Sequence, residues 1–289
     1  MDEGSLTRAA RRLHITQPAL SRAVRSLERS VGTALLLRSP QGTTPTAAGK
    51  LLLEGARDLQ RRADAVVQRA RAVGGRPQPL RLTVGACDAA VAAALVAATA
   101  GDDIELVAAV VSEGAAAQVA SLHAAASDVA LVRTPFDAAG LDTSQLWTEP
   151  RVVVVSNAHP AADWERVDLA ALHPEPVTVF PGMEERASQY WAAADVDHHA
   201  WTGGPTATSP TDVLAAVRLG QAVAFIAASH AAECLIPGLS VRAVPGLSPS
   251  ALHMAWLSRS TSLRVARFVA STGEVARRGP LPGHLVASR

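Results

Sequence analysis

Cysteine is scarce: the 289 residues hold 2, Cys87 and Cys234, far apart and without a CxxC partner. That excludes a disulfide scaffold and a zinc ribbon. No uncharged apolar run reaches the length of about 18 residues that a spanning helix needs. The N-terminus is polar and carries no signal-peptide core, so the expected location is the cytoplasm. GxSxG, Walker, GxGxxG and HExxH signatures are all missing, which removes the usual frameworks for acyl transfer, phosphate chemistry, dinucleotide redox and zinc hydrolysis. Neither catalysis nor a cofactor is expected. The densest group of potential metal ligands is Asp197-His198-His199. Adjacent side chains on a polar stretch read as solvated, so no metal is expected there. No internal repeat or low-complexity tail occurs.

What is present is a long, largely apolar chain with an uneven charge. The length suffices for two or three compact units, and a hydrophobic fraction of 48% argues for folded structure throughout. The net charge is only +1, yet residues 1–75 hold 13 Arg/Lys against 6 Asp/Glu, and residues 76–289 hold 14 against 20. A basic head on an acidic body points to a polyanion met by the head alone.

Residues 5–29 carry two helical patterns joined by a very short turn. Ser5 is a suitable N-cap for a helix reaching about Leu13, with Leu6, Ala9, Ala10 and Leu13 on its apolar face. "HIT" makes the turn, with Ile15 expected to point inward. Thr16 caps the second helix, and Pro18 is tolerated in its first turn. Leu20, Val24 and Leu27 form the expected buried stripe. Gln17, Ser21 and Arg25 recur every four residues on another face, beside Pro18 and Arg22. Gln and Arg can pair bidentately with base edges, and Ser and Thr reach phosphates or bases. A short-turn helix pair with such a face is a helix-turn-helix. "LLLRSPQGTTP" at 35–45 then reads as two short strands about a Pro-Gly turn.

The next segment, 46–75, reads as one long helix capped by Thr46 and stopped at Gly74-Gly75. Leu52, Ala56, Leu59, Ala63, Val66, Ala70 and Val73 give it an apolar stripe. About 27 residues span roughly 40 Å, and a stripe of that length among arginines calls for a partner helix, hence a homodimer. From residue 80 apolar strand-length runs alternate with Ala-rich helical stretches, the pattern of a parallel sheet covered by helices. Two such sets follow one another, giving two α/β lobes with a cleft at the strand ends. The expected boundaries are 1–45 for the head, 46–75 for the linker helix and 80–289 for the body. The first lobe is expected over about 80–152 and 256–289, the second over about 153–255.

"GSLTRAARRLHITQPALSRAVRSLERSVGTALLLRSPQGTTPTAAG" closely resembles the winged helix-turn-helix of LysR-type transcriptional regulators. The resemblance continues through "LDTSQLWTEPRVVVVSNAHP" and "TDVLAAVRLGQAVAFIAAS", so it spans essentially the whole chain. It implies a winged helix-turn-helix, a dimerising linker helix and a two-lobed, periplasmic-binding-protein-like α/β effector domain, assembled as a dimer or tetramer on an interrupted palindrome in double-stranded DNA. Residue by residue, Gln17, Pro18, Ser21 and Arg22 match the DNA-contacting positions of the recognition helix, 17–29. Thr7 matches a small hydroxyl residue near the backbone, and Arg38 matches the arginine that opens the wing. Thr16 and Arg25 are counted with the DNA-binding residues, and Gln41 sits at a wing tip that is often basic. A small molecule bound between the lobes would touch Cys87, Asp88, Ser112, Ala115, Thr134, Thr208 and Ser209. Ala89 and Ala115 stand where hydroxyls are common, which favours a less acidic or more apolar effector. Cys87 reads as a small buried residue rather than a redox sensor.

The family's first helix would precede "GSLTRAA", and Met1-Asp2-Glu3 leaves no room for it. The expectation is an amphipathic helix encoded upstream of the given start, the alternative being a genuine truncation with weakened DNA binding. The rival reading is a solute-binding-type receptor whose DNA binding is impaired by that shortening. Such a receptor would need an export signal and has no use for a basic head.

Overall fold

The computed structural model describes residues 5–12, 15–39, 42–53, 55–56, 59, 63, 79–99, 105–111 and 114–277. The chain divides into two compact units, Met1–Gln68 and Arg69–Arg289.

In the first unit α1, Leu6–Arg12, is followed closely by α2, Gln17–Val31. Thr16 caps α2 by accepting the Ala19 N–H at 3.4 Å, with Pro18 in the first turn where its missing N–H costs nothing. Gly32 ends it at φ +79°, its N–H donating to the Glu28 carbonyl, the left-handed stop that glycine adopts without strain. Ala10 is buried, but the apolar stripe is less covered than expected. Leu27 is 47% exposed and Ile15, expected inward, is 44% exposed.

The wing is an antiparallel hairpin of β1, Leu36–Ser39, and β2, Gly42–Pro45, in the register Arg38↔Thr43. Glu28 ties it to α2, accepting the N–H groups of Leu35 and Leu36 at 2.9 and 3.3 Å. Thr46 opens the linker helix as expected, its hydroxyl accepting from the Gly49 N–H at 2.9 Å and donating to the Ala34 carbonyl at 2.8 Å. Gly49 approaches the Leu35 backbone so closely that a Cβ would lie 2.0 Å from the carbonyl oxygen. Residues 47–53, 55, 56, 59 and 63 are helical. Val66, Ala70, Val73 and the expected glycine stop lie outside the described residues.

In the second unit the first lobe is a five-stranded sheet of order β4-β3-β5-β12-β6. Its strands are β3 (Leu80–Gly85), β4 (Leu106–Val111), β5 (Val129–Arg133), β6 (Leu141–Glu149) and β12 (Ser250–Leu257). β3 runs parallel to β4 and β5. Helices Ala89–Thr99 and Leu263–Arg277 cover one face around Leu82, Leu95, Leu131, Met254 and Phe268, and Gly114–His123 covers the other around Leu122, Ala130 and Val132. β5 is buried on both faces, so it reads as an unbroken apolar run.

The second lobe centres on β7 (Arg151–Ser156), flanked antiparallel by β10 (Ala224–Ala227) and β11 (Leu239–Ala243). A parallel pair, β8 (Pro176–Val179) and β9 (Thr202–Thr206), lies beside it. Two expectations need correcting. The main sheet here is antiparallel: β10 and β11 both run against β7, and the parallel pairing of this lobe is that of β8 with β9, on either side of helix Glu185–Trp191. β12, expected largely in the second lobe, hydrogen-bonds to β5 and β6, so the return crossing falls between Val244 and Ser250 and not near 255. The outward crossing is Pro150, between β6 and β7.

Candidate nucleic-acid interface and effector cleft

The exposed face of α2 carries Gln17, Pro18, Arg22 and Arg25. Arg22, Arg25 and Arg29 recur at spacings of three and four and line an open depression with Thr33 and Ala34. Glu28, the carboxylate beside them, has its Oε1 engaged by the two backbone N–H groups of the wing strand. The face is therefore net positive and rich in forked donors, as phosphate and base edges require. Thr7 and Thr16 are exposed, though the Thr16 hydroxyl already serves the helix cap.

Ser21 departs from the expected open face. It is only 4% exposed. Arg25 folds back over it, donating to its carbonyl at 3.3 Å and its hydroxyl at 3.4 Å. A short side chain one turn below a long one is easily covered, so Ser21 positions Arg25 here. Arg38 pairs with Thr43 in the hairpin. Gln41 lies outside the described residues.

Between the lobes the expected residues sit at strand ends and helix starts, but their polar groups are largely engaged. Asp88 follows β3 and is buried; Ala115 is half-buried near the start of helix Gly114–His123. The Thr134 hydroxyl exchanges hydrogen bonds with the Ala251 backbone. Thr208 donates to Asp212 through both its N–H and its hydroxyl, at 2.9 and 2.8 Å, and Ser209 caps helix Pro210–Arg218. Ser112 lies outside the described residues. Burial, with the charges of Asp88 and Glu233 opposed by Arg133, pushes the Cys87 thiol up to about 11, and Cys234 rises likewise to about 11, first through burial and then through Glu233. Neither is a primed thiolate.

The centre of the cleft is a residue that the sequence reading passed over. Arg133, the last residue of β5, is buried between two carboxylates. Its Nη2 donates to Asp88 Oδ1 at 2.6 Å and its Nη1 to Glu149 Oε1 at 2.7 Å. The Ser229 and Ser250 hydroxyls accept from the remaining N–H groups at 3.1 and 3.2 Å. From the second lobe, Ser229 donates its N–H and its hydroxyl to Glu149, and His230 lies 3.1 Å from Asp88. One guanidinium therefore joins β3, β5, β6 and β12 to the turn after β10. Burial pushes the Asp88 carboxyl up, but the His230 hydrogen bond and the charge and hydrogen bonds of Arg133 outweigh it and hold the group at about 2. Glu149 is lowered in the same way, its burial outweighed by Arg133 and Ser229.

A second buried guanidinium stands just past the crossing. Arg151 lies over the Tyr190 ring at 3.8 Å, donates to Asp195 at 2.8 Å, and bonds the Ser248 carbonyl and hydroxyl at 2.7 Å each. The sequence signal for both arginines was a charge inside or beside an apolar strand, in "VALVRT" and "RVVVVS". Their partners lie 44 or more residues away in the chain, apart from Glu149 and Tyr190, and no local pattern reveals them.

A basic helix-turn-helix with a wing, and a two-lobed α/β body whose cleft is spanned by hydrogen-bonded charges, together define a DNA-binding regulator with a ligand-binding domain. Residues 1–50 match the model of the bacterial regulatory helix-turn-helix protein, lysR family, and residues 74–277 match that of the LysR substrate binding domain. The chain belongs to the LysR family of transcriptional regulators. It is 32% identical over 241 residues to the small neutral protease regulatory protein of Streptomyces coelicolor, covering 77% of this chain and 73% of that one. It is 31% identical over 175 residues to the Hca operon transcriptional activator HcaR of Escherichia coli, covering 58% and 57%. Full-length CbnR in complex with its target DNA superposes with a TM-score of 0.54 at 22% identity, covering 95% of each chain. OxyR of Corynebacterium glutamicum gives a TM-score of 0.57 at 23% identity, covering 96% and 88%. These two likenesses are of fold. The helix-turn-helix match argues against the solute-binding-type receptor. Among the described residues no helix is long and apolar enough to cross a membrane.

Proposed function

We propose that the protein binds an interrupted palindrome in the cytoplasm as a homodimer or tetramer, without catalysis, through α2 and the wing. A small effector in the inter-lobe cleft modulates that binding. The observation that carries the DNA reading is the α2 face, where Gln17, Pro18, Arg22 and Arg25 are exposed and the neighbouring Glu28 carboxylate is engaged with the wing. Assembly is supported by Leu59 of the linker-helix stripe, 69% exposed, and by Val107 and Val110 on the edge strand β4, also open to solvent. Apolar groups on a helix stripe and a sheet edge favour a second copy over water.

The cleft supports a neutral or weakly acidic effector. All five N–H groups of Arg133 are taken by Asp88, Glu149, Ser229 and Ser250. No donor of that guanidinium is left for a ligand carboxylate. Footprinting on the promoter fragment of its own gene tests the DNA reading. Arg22→Ala should weaken specific binding by roughly 1–3 kcal/mol and leave folding unchanged. An unaltered footprint would overturn the assignment of this face.

A further inference from the structure

On the second lobe, two segments distant in sequence bring three potential ligands together. His173 follows the 3₁₀ turn Leu169–Leu172; Asp197 and His199 lie on the turn after helix Glu185–Trp191. His173 Nε2 stands 3.0 Å from Asp197 Oδ2, and His199 Nδ1 stands 2.6 Å from Oδ1 of the same carboxylate. The two imidazoles stack with centroids 3.9 Å apart and planes 16° from parallel. One ligand atom from each residue lies within 4.8 Å of the other two. His198, adjacent in sequence, is not a member: it is exposed, with backbone φ +56°, and the distant His173 takes its place.

We propose that His173, Asp197 and His199 bind a divalent transition-metal ion of the zinc class (Zn²⁺, Co²⁺ or Ni²⁺), at a site separate from the effector cleft. Two imidazole nitrogens and one carboxylate oxygen form the donor set such ions take, and three protein ligands leave a position for water or another group. Metal–ligand bonds of about 2.0–2.2 Å place tetrahedral ligand atoms about 3.4 Å apart. The two nitrogen–oxygen separations, 3.0 and 2.6 Å, are shorter than that, so the rings open away from the carboxylate by under about an ångström and fan out of their stack to aim both lone pairs at the ion. The ion takes the place of the two hydrogen-bonding protons: each neutral ring presents a lone pair inward and carries its proton on the other nitrogen.

An ion here would fasten the Leu169–His173 segment to the turn that also carries Asp195. Asp195 accepts from the buried Arg151 beside the lobe crossing. Occupancy would thus stiffen one anchor of that crossing.

The test uses the full chain, stripped with chelator and titrated with Zn²⁺ by calorimetry and with Co²⁺ by visible absorption. The expected result is one equivalent per chain and Co²⁺ bands of a low-coordinate nitrogen/oxygen site. His173→Asn and His199→Asn should each lose at least about 10-fold in affinity. His198→Asn should bind as the wild type does. Asp197→Asn leaves both rings in place and serves if a histidine variant fails to fold. Absence of stoichiometric binding, or equal affinity in wild type, His173→Asn and Asp197→Asn, overturns the proposal. Neither readout depends on DNA or effector.

Discussion

Arg133→Met isolates the energetics of the cleft. The substitution keeps much of the stem's volume and removes the guanidinium bridging Asp88 and Glu149, two carboxylates that are themselves almost fully buried. Breaking a buried ion pair from one side costs roughly 3–5 kcal/mol, because the partner charge stays desolvated. The pH dependence carries a sign that a cavity alone would not produce. In the wild type the Asp88 carboxyl is depressed from 3.8 to about 2. It contributes about 2 kcal/mol above pH 4, and that contribution is lost only as pH falls towards 2. Between pH 7 and 5 this term is flat. In Arg133→Met the His230 hydrogen bond to Asp88 and the Ser229 hydrogen bonds to Glu149 remain, but the guanidinium charge no longer opposes burial. Both carboxyls therefore shift upward and are expected to pass their unfolded values. The folded variant then binds more protons than the unfolded chain, and it should recover stability as pH falls from 7 to 5. Tryptophan fluorescence in urea is the suitable assay. All 5 tryptophans, Trp147, Trp164, Trp191, Trp201 and Trp256, lie within Arg69–Arg289, and Trp147 donates to Glu149 at 3.3 Å. Taking the variant-minus-wild-type difference at each pH cancels the titrating groups that touch neither Arg133 nor its carboxylates, and the same pair in a His230→Gln background removes the imidazole beside Asp88. A loss below about 1 kcal/mol at pH 7, or a penalty that grows at pH 5, would refute the reasoning.

Gly49→Ala should destabilise the head by about 1–3 kcal/mol, since its Cβ would collide with the Leu35 carbonyl; circular dichroism and operator binding should weaken while the fluorescence transition stays put. Cys87 and Cys234, both raised to about 11, should react far more slowly with a disulfide reagent at pH 7.5 than free cysteine does; one fast-reacting thiol would contradict the burial argument. Leu59→Glu should convert the assembly to monomers by light scattering and erase the paired half-site footprint; a dimeric variant would move the seam off this stripe.

The head was legible because its punctuation is local. Thr16 and Thr46 cap the helices they were expected to cap, and the hairpin falls on the residues around Pro40-Gln41-Gly42. The exposure of Leu27 and Ile15 was not, because periodicity shows which face is apolar but not what covers it. The strands of the body were visible as apolar runs, but such a run carries no direction. β12 was consequently given to the wrong lobe, and the second sheet was read as parallel. At the site, the sequence pointed to hydroxyls and small residues at strand ends, several of which prove to be caps. The groups spanning the cleft, Arg133 and Arg151, were hidden because a charge at a strand end looks the same whether it meets water or a carboxylate folded in from far away. His173 was missed for the same reason: its partners stand 24 and 26 positions on, while the tempting neighbour, His198, turns away.

Pro150 separates two residues with opposite allegiances. Glu149 is bound to the guanidinium at the end of β5, and Arg151 to the carboxylate and ring on the far side of the crossing. Each ion pair stays within its own lobe. Rotation of one lobe against the other about this point parts instead the hydrogen bonds that Ser229 and His230 make across to Arg133, Glu149 and Asp88, leaving those buried groups short of partners until the lobes settle again. The crossing is therefore notched rather than elastic. Each protomer would sit in one setting or another, and a ligand would act by changing which notch is deeper instead of bending the hinge by degrees.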